Sequence, residues 1–389
     1  MSTSIADQLR FEPAALPAEM EQLRADVRAF LESELEDYPV VKRSHSWEAY
    51  DADFSAKLGA QGWLGMTLPT EYGGHGRSAF ERYVVVEECL VAGAPTAFHW
   101  VADRQSGPLL VRYATEEQKQ TIIPKITAGK ACFAIGMSEP NSGSDLASLR
   151  TRAEKTSNGW LVNGTKIWTS NAHRADYMIA LFRTDPDPEK KHGGLSQFLI
   201  DLSAVEGITP RTIQNLAGGR NFNEVSFVDV ELPEDALVGS EGGGWKQVTE
   251  ELAYERSGPE RYLSCFFLLR KLIDAVGDKA DGATLARIGG QIAWATTLRN
   301  MSLSIAAKLN AGEDPLLEAA VVKDLGCQFE QGLPGLAQEL CDLEPTLEGF
   351  GSDYQQVLGA LVQTAPSFSL RGGTPEIMRG IIAKGMGIR

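Results

Sequence analysis

The chain has 389 residues, 43% of them hydrophobic, with 37 Lys and Arg against 52 Asp and Glu for a formal charge of −15. That balance excludes collagen-like and disordered classes and provides enough chain for two or three domains. The acidic surplus repels phosphate polymers and anionic lipid, and no apolar run approaches the roughly 18 residues of a membrane span, so neither nucleic acid nor membrane insertion is expected.

The predicted elements begin with helices. In LPAEMEQLRADVRAFLESEL the apolar residues Leu23, Val27, Phe30, Leu31 and Leu35 recur at intervals of three and four. DADFSAKLGAQGW continues the helical pattern, LPTEYGGHG interrupts it, and FERYVVVEECLVAGAP and TEEQKQTIIPKITAG resume it. From Lys130 the chain changes to β-branched and aromatic runs: ACFAIGMSE, LRTRAEKT, GWLVNGTKIWT, YMIALFRT, LSQFLIDL and FNEVSFVDVEL. Asn158-Gly159 and Asn163-Gly164 are both read as hairpin turns, and DPDPEKKHGG, with Lys190 and Lys191, as a solvated loop. After LVGSEGGGW the helical period returns, with breaks expected at Gly282, Gly312, Pro334 and Pro345. The expected fold is α+β and multidomain: an N-terminal helical domain (1–129), a middle antiparallel β domain (130–240) and a C-terminal helical bundle (241–389).

Five cysteines without a CxxC and five histidines without HxxH or HxxxH spacing argue for buried thiols and no metal site. The start MSTSIADQLRFEP has no basic n-region followed by an apolar stretch, and a cytoplasmic protein is expected. YGGHGRSAF follows a helix-turn region and lacks the last glycine of a dinucleotide loop, and neither GxxxxGK[ST] nor GxSxG occurs.

Two stretches carry candidate chemistry. In AIGMSEPNSGSDLASL a strand runs into Glu139-Pro140, where proline removes a ladder N–H, and then into a small-residue loop at 141–145. Such a loop is either an ordinary turn or a set of N–H and hydroxyl donors for an anion. NGTKIWTSNAHRADYMI sets Trp168 beside Thr169 and Ser170 at a strand end, a place for a core ring or for one that meets a flat heteroaromatic ligand.

Taken together and in order, TLPTEYGGHG with VVVEE, EEQKQTIIPKI, GMSEPNSGSD, NGTKIWTSNA with ADY, GGGWKQVTEELAYER and GGTPEIMRGIIA resemble the acyl-CoA dehydrogenase family over most of the chain. The resemblance implies FAD as cofactor. Met137 and Ser138 would line the isoalloxazine, Ser144 would approach the pyrophosphate region of flavin or substrate, and Trp168 and Ser170 would lie against the flavin. Gly373, Thr374 and Glu376 match positions that hold FAD.

The reaction implied needs a desolvated carboxylate at the carbon alpha to a thioester and donors on the thioester oxygen. Many members carry that Glu two residues before the Thr of the C-terminal motif, where this chain has Gly372, whose backbone N–H would polarise the oxygen. Others carry it before an Arg on the first long helix of the C-terminal domain, which matches Glu255 and Arg256. Glu255 is the expected base and Glu260, before Arg261, its rival; Arg256 either pairs with substrate phosphate or braces the helix. His99, Trp100 and Arg104 either border the acyl pocket or are structural.

The family's Arg-x-x-Phe-Gly and Gln-x-x-Gly-Gly-x-Gly segments are missing, replaced by AVGDKADGATLAR and LEGFGSD. The expected function is dehydrogenation of an acyl-CoA or acyl-carrier-protein thioester, with an electron-transfer flavoprotein as acceptor and a homo- or hetero-oligomer as working unit. The alternatives on this fold are a flavin monooxygenase or oxidase and a partly degenerate subunit of a heteromeric dehydrogenase.

Overall fold

The computed structural model describes residues 9–256 and 258–388, excluding the side chains at 188, 252–255 and 279. Among these residues the helices are α1 (Met20–Glu34), α2 (Val40–Ser44), α3 (Ala52–Ala60), α4 (Ala79–Ala92), α5 (Gly107–Tyr113), α6 (Glu116–Thr127), α7 (Gly244–Arg256), α8 (Phe266–Val276), α9 (Gly282–Asn310), α10 (Leu316–Leu340), α11 (Asp353–Thr364) and α12 (Pro375–Gly385). The strands are β1 (Phe133–Gly136), β2 (Arg152–Thr156), β3 (Gly159–Ser170), β4 (Tyr177–Arg183), β5 (Leu195–Asp201), β6 (Ile208–Ile213) and β7 (Phe222–Pro233). The chain forms two compact units, one of Asp51–Gly76 with Ala97–Leu252, the other of the residues up to Tyr50, Arg77–Thr96 and those from Ala253 on.

The first unit is built on the sheet β1-β4-β2-β3-β7-β6, with β5 also paired to β4. Its pairings are antiparallel except that β1 and β2 run parallel to β4. Because successive strand residues point to opposite faces, β4 feeds two cores. Met178, Ala180 and Phe182 join Trp160, Phe198 and Phe227 on one side. Tyr177 and Ile179 pack on the other side with Leu109 and Leu110 of α5 and Ile122, Ile123 and Ile126 of α6.

Two sequence readings are corrected here. Asn158-Gly159 does close the β2–β3 hairpin, but Gly164 lies inside β3 at a shift in the β3–β7 register. Its φ is +147° and a Cβ there would meet Thr151 at 2.5 Å, so this glycine serves a bulge. Strand β6, which contains Pro210, is absent from the expected strands. Pairing only with β7, β6 is an edge strand, where a missing N–H is tolerated.

The second unit is helical. Its central core joins Leu268, Leu269 and Leu272 of α8, Leu333 and Ala337 of α10, and Val357, Leu358 and Leu361 of α11. Arg24 of α1 pairs with Glu87 and Glu88 of α4, and Arg299 of α9 also holds Glu87. The expected break at Pro334 is absent, since α10 runs on to Leu340. Proline leaves the carbonyl four residues earlier without its helical donor, and the buried Cys265 Sγ–H donates to Glu330 O at 3.3 Å.

All five cysteines are free and buried. Among the described residues no cluster of His, Cys, Asp or Glu could hold a metal ion. No described helix is long and apolar enough to cross a membrane.

Candidate active site

In the sheet unit, the end of β1 and the middle of β3 are stitched together. Ile167 N–H donates to Ser138 O at 2.9 Å, and Lys166 Nζ lies 3.0 Å from Met137 O and 2.9 Å from Glu139 Oε1. The Glu139 carboxylate also accepts the N–H groups of Arg150 and Thr151 at 2.6 and 2.8 Å. Lys166 is fully buried, and burial pushes its ammonium down to about 8 despite the opposing pull of Glu139. Burial acts to raise the Glu139 carboxyl, but Lys166 and the two N–H donors keep it below its ordinary value. Met137, Ser138 and Ser170 are half-buried, and Ser144 is exposed on the loop.

Just beyond Lys166 the strand bulges. Lys166 faces Val225 and Thr169 faces Asn223, so three steps along β3 match two along β7. The intervening Trp168 adopts φ +60°, a left-handed conformation rare for a bulky residue. Its ring is 57% exposed, with Phe222 edge-on at 6.1 Å, so it is not a core ring. Asn223 Nδ2 donates to Thr169 O at 2.9 Å and holds the bulge from below. An exposed aromatic face fixed on a strained bulge, next to the half-buried Met137 and Ser138, fits a flat, partly apolar ring such as a flavin.

Glu255 and Arg256, at the C-terminal end of α7, belong to the helical unit. The side chain of Glu255 lies outside the described residues. Arg256 is 3% exposed, and its Nε donates to Gly372 O at 2.9 Å, the geometry of a brace. Gly372 and Gly373 have φ +68° and +97°, the left-handed region open to glycine. Lys323 of α10, fully buried, donates to Gly373 O at 2.7 Å. Burial lowers its pKa, Cys327 opposes the shift, and the charges of Arg261 and Arg371 add to it. Arg371 pairs with Glu330 at 2.9 Å, donates to Ser264 Oγ at 2.6 Å, and stacks on Trp47 and Phe368 at 4.4 and 4.3 Å. Thr374 caps α12 by accepting Ile377 N–H. The exposed Glu376 in the first turn is held below its ordinary pKa by its own backbone N–H and by Thr374.

Thus Met137, Ser138, Ser144, Trp168 and Ser170 belong to the sheet unit, and Arg256, Gly372, Gly373, Thr374 and Glu376 gather in the helical one. Glu260 is fully buried on the turn Pro259–Arg261, with Arg82 at 3.7 Å. His99, Trp100 and Arg104 are all buried; His99 Nδ1 lies 2.8 Å from Ser55 Oγ, and Arg104 stacks on Trp100. Sequence reasoning missed Lys166, Lys323 and Arg371. The available signal was a lysine in a helix stretch rich in apolar residues: Lys323 lies among Ala319, Val322 and Cys327, which are buried with the acidic Asp324 and Glu330 of the same helix.

Comparison with known proteins shows the family. Residues 17–130 match the model of the acyl-CoA dehydrogenase N-terminal domain and residues 134–230 that of the middle domain. The chain is 33% identical over 351 residues to acyl-CoA dehydrogenase FadE26 of Mycobacterium tuberculosis (strain ATCC 25618 / H37Rv), spanning 84% of this chain and 85% of that protein. Among solved structures, the Tcur3481-Tcur3483 steroid ACAD superposes with a TM-score of 0.84 at 30% identity, covering 96% of this chain and 98% of that one. The ChsE4-ChsE5 complex from Mycobacterium tuberculosis gives 0.81 at 28% identity, covering 97% and 99%. The chain belongs to the acyl-CoA dehydrogenase family and is a flavoprotein oxidoreductase of that family.

Proposed function

We propose that the protein is an FAD-dependent dehydrogenase that converts a saturated acyl thioester to its alpha,beta-enoyl product. Glu255 removes the alpha proton, and the Gly372 N–H donates to the thioester oxygen as negative charge develops there. Bound FAD supplies an acceptor for the beta hydrogen as hydride. Met137, Ser138, Trp168 and Ser170 would hold its ring region, Ser144 would approach the pyrophosphate region of FAD or of the substrate, and Gly373, Thr374 and Glu376 would hold a further part of FAD. The single observation that carries the reading is Trp168, exposed on a φ +60° bulge beside the Met137–Ser138 strand end. For Arg256, its hydrogen bond to Gly372 O favours the brace over a phosphate contact.

The proposed division of labour follows domains 1–129, 130–240 and 241–389, with the thioester carried by CoA or an acyl-carrier protein. An electron-transfer flavoprotein is the proposed electron acceptor, and free buried cysteines suit a reducing cytoplasm. A hetero-oligomer is favoured over a homo-oligomer on two grounds: the names of two similar structures pair two different chains, and AVGDKADGATLAR stands where the family has Arg-x-x-Phe-Gly. Exposed Leu370, Ile377 and Ile388 near the C-terminal end provide apolar area for such a contact.

The test is anaerobic titration of purified, FAD-loaded protein with butyryl-, isovaleryl-, palmitoyl- and steroid-side-chain acyl-CoA, the last because one similar structure is named a steroid ACAD. Bleaching of the flavin band by at least one thioester, with enoyl product, is expected. A flavin that no thioester bleaches overturns the reading, and rapid reoxidation by air favours the oxidase.

A further inference from the structure

We propose that Lys323 is a positioning residue for the reaction, fixing the direction of the Gly372 N–H through a cationic clamp that it shares with Arg256. The inference rests on the reading that this N–H polarises the thioester oxygen.

Two consecutive left-handed glycines form the most conformationally free backbone a chain can offer, with nothing of their own to hold one orientation. Here each residue from 371 to 373 is tied down from outside. The Arg371 side chain is anchored by Glu330, Ser264 and two aromatic rings. The Gly372 carbonyl is pinned by Arg256 at 2.9 Å and the Gly373 carbonyl by Lys323 at 2.7 Å. In a trans peptide the carbonyl and the following N–H point in opposite directions, so pinning a carbonyl orients a whole peptide plane. The Gly372 N–H lies between the Arg371 anchor and the pinned Gly372 carbonyl, and Lys323 stops the next plane from swinging and pulling Gly372 with it.

The chemistry of Lys323 supports this role. Its Nζ lies 2.7 Å from Gly373 O and 3.5 Å from Ser369 O, and among the described residues no carboxylate pairs with it. A fully buried amine is costly beside a hydrocarbon of equal size, and here its donors go to backbone carbonyls of the segment that carries the proposed donor.

Lys323→Met and Lys323→Gln test this in the FAD-loaded full-length protein. The first readout is flavin reduction by whichever thioester in the panel reduces wild type fastest. The second is the infrared carbonyl stretch of a bound 3-thiaacyl-CoA of the same chain, whose beta sulfur has no hydrogen to lose. Lys323→Met should slow reduction by about 10- to 100-fold with KM changed by no more than about threefold, because a displaced donor weakens transition-state stabilisation more than ground-state binding. The carbonyl stretch should move toward its value in water, and the rates are compared per bound flavin. Lys323→Gln, which keeps a donor without the charge, should fall between. Wild-type rate and stretch in Lys323→Met, or a rate lost only in proportion to lost flavin, would overturn the proposal. If Lys323→Met does not fold, an unshifted stretch in Lys323→Gln overturns it equally. Failure of wild type to reduce with any thioester would instead defeat the dehydrogenase reading itself.

Discussion

The guanidinium of Arg261 lies over Gly372: a Cβ built on that glycine would stand 3.0 Å from Nη2 and 3.1 Å from Cζ. With φ at +68°, position 372 resists a side chain on both steric and backbone grounds. The family resemblance implies a carboxylate at that position in many members, and here a cation fills the space.

Gly372→Ala should therefore lower unfolding stability by about 1–2 kcal/mol, the usual cost of forcing an L-residue into the left-handed region. Gly372→Glu, placed in a Glu255→Gln background, should not restore flavin reduction, because the new carboxylate would meet Arg261. Denaturant unfolding and stopped-flow reduction read the two effects. A Gly372→Glu rescue to near wild-type rate would mean that Arg261 does not occlude the position.

Glu255→Gln should slow flavin reduction by about 10² to 10⁴ while leaving the flavin spectrum native, since the amide cannot accept the alpha proton. Glu260→Gln should affect stability instead. Its carboxylate is fully buried with Arg82 at 3.7 Å, and neutralising it removes that buried ion pair, costing on the order of 2 kcal/mol. A stable but inactive Glu260→Gln enzyme beside an active Glu255→Gln enzyme would reverse the assignment of the base.

Trp168→Gly separates binding from folding. Glycine accepts φ +60° without strain, so the flavin-free protein should unfold at the same temperature or a higher one. Loss of the exposed ring should raise the flavin dissociation constant by about tenfold. Paired melting and flavin-titration curves decide this; a variant that binds flavin as tightly as wild type removes Trp168 from the cofactor site.

Lys166 has a pH signature with a definite sign. Its folded-state pKa of about 8 lies below the ordinary 10.5, so between these values the unfolded chain binds more protons and the stability contributed by this residue rises with pH. The full window is worth at most about 3 kcal/mol. The difference in unfolding free energy between wild type and Lys166→Met should therefore grow from pH 8 to 10.5. A flat difference would show that Lys166 titrates normally in the fold.

Much of this protein was legible in the chain alone, because periodicity and turn chemistry are local. The 3–4 spacing of Leu23, Val27 and Leu31 specifies α1, the alternation through GWLVNGTKIWT specifies β3, and Asn158-Gly159 closes its hairpin. Motif order also carried the resemblance to the acyl-CoA dehydrogenase family that the family models show. What only the tertiary structure decided depends on neighbours distant in sequence. Gly164 became a bulge rather than a turn because Thr151 fills the space at its Cα. Helix α10 crosses Pro334 with Cys265 bonded to the carbonyl that proline leaves open. Lys323, in an apolar stretch of α10, and Arg261, beside the rival carboxylate, gained their proposed importance only when folding set them against the two glycines at 372 and 373, more than 45 residues away. The sequence around Lys323 does not announce its role, because its hydrogen-bond partners are carbonyls supplied by another part of the chain.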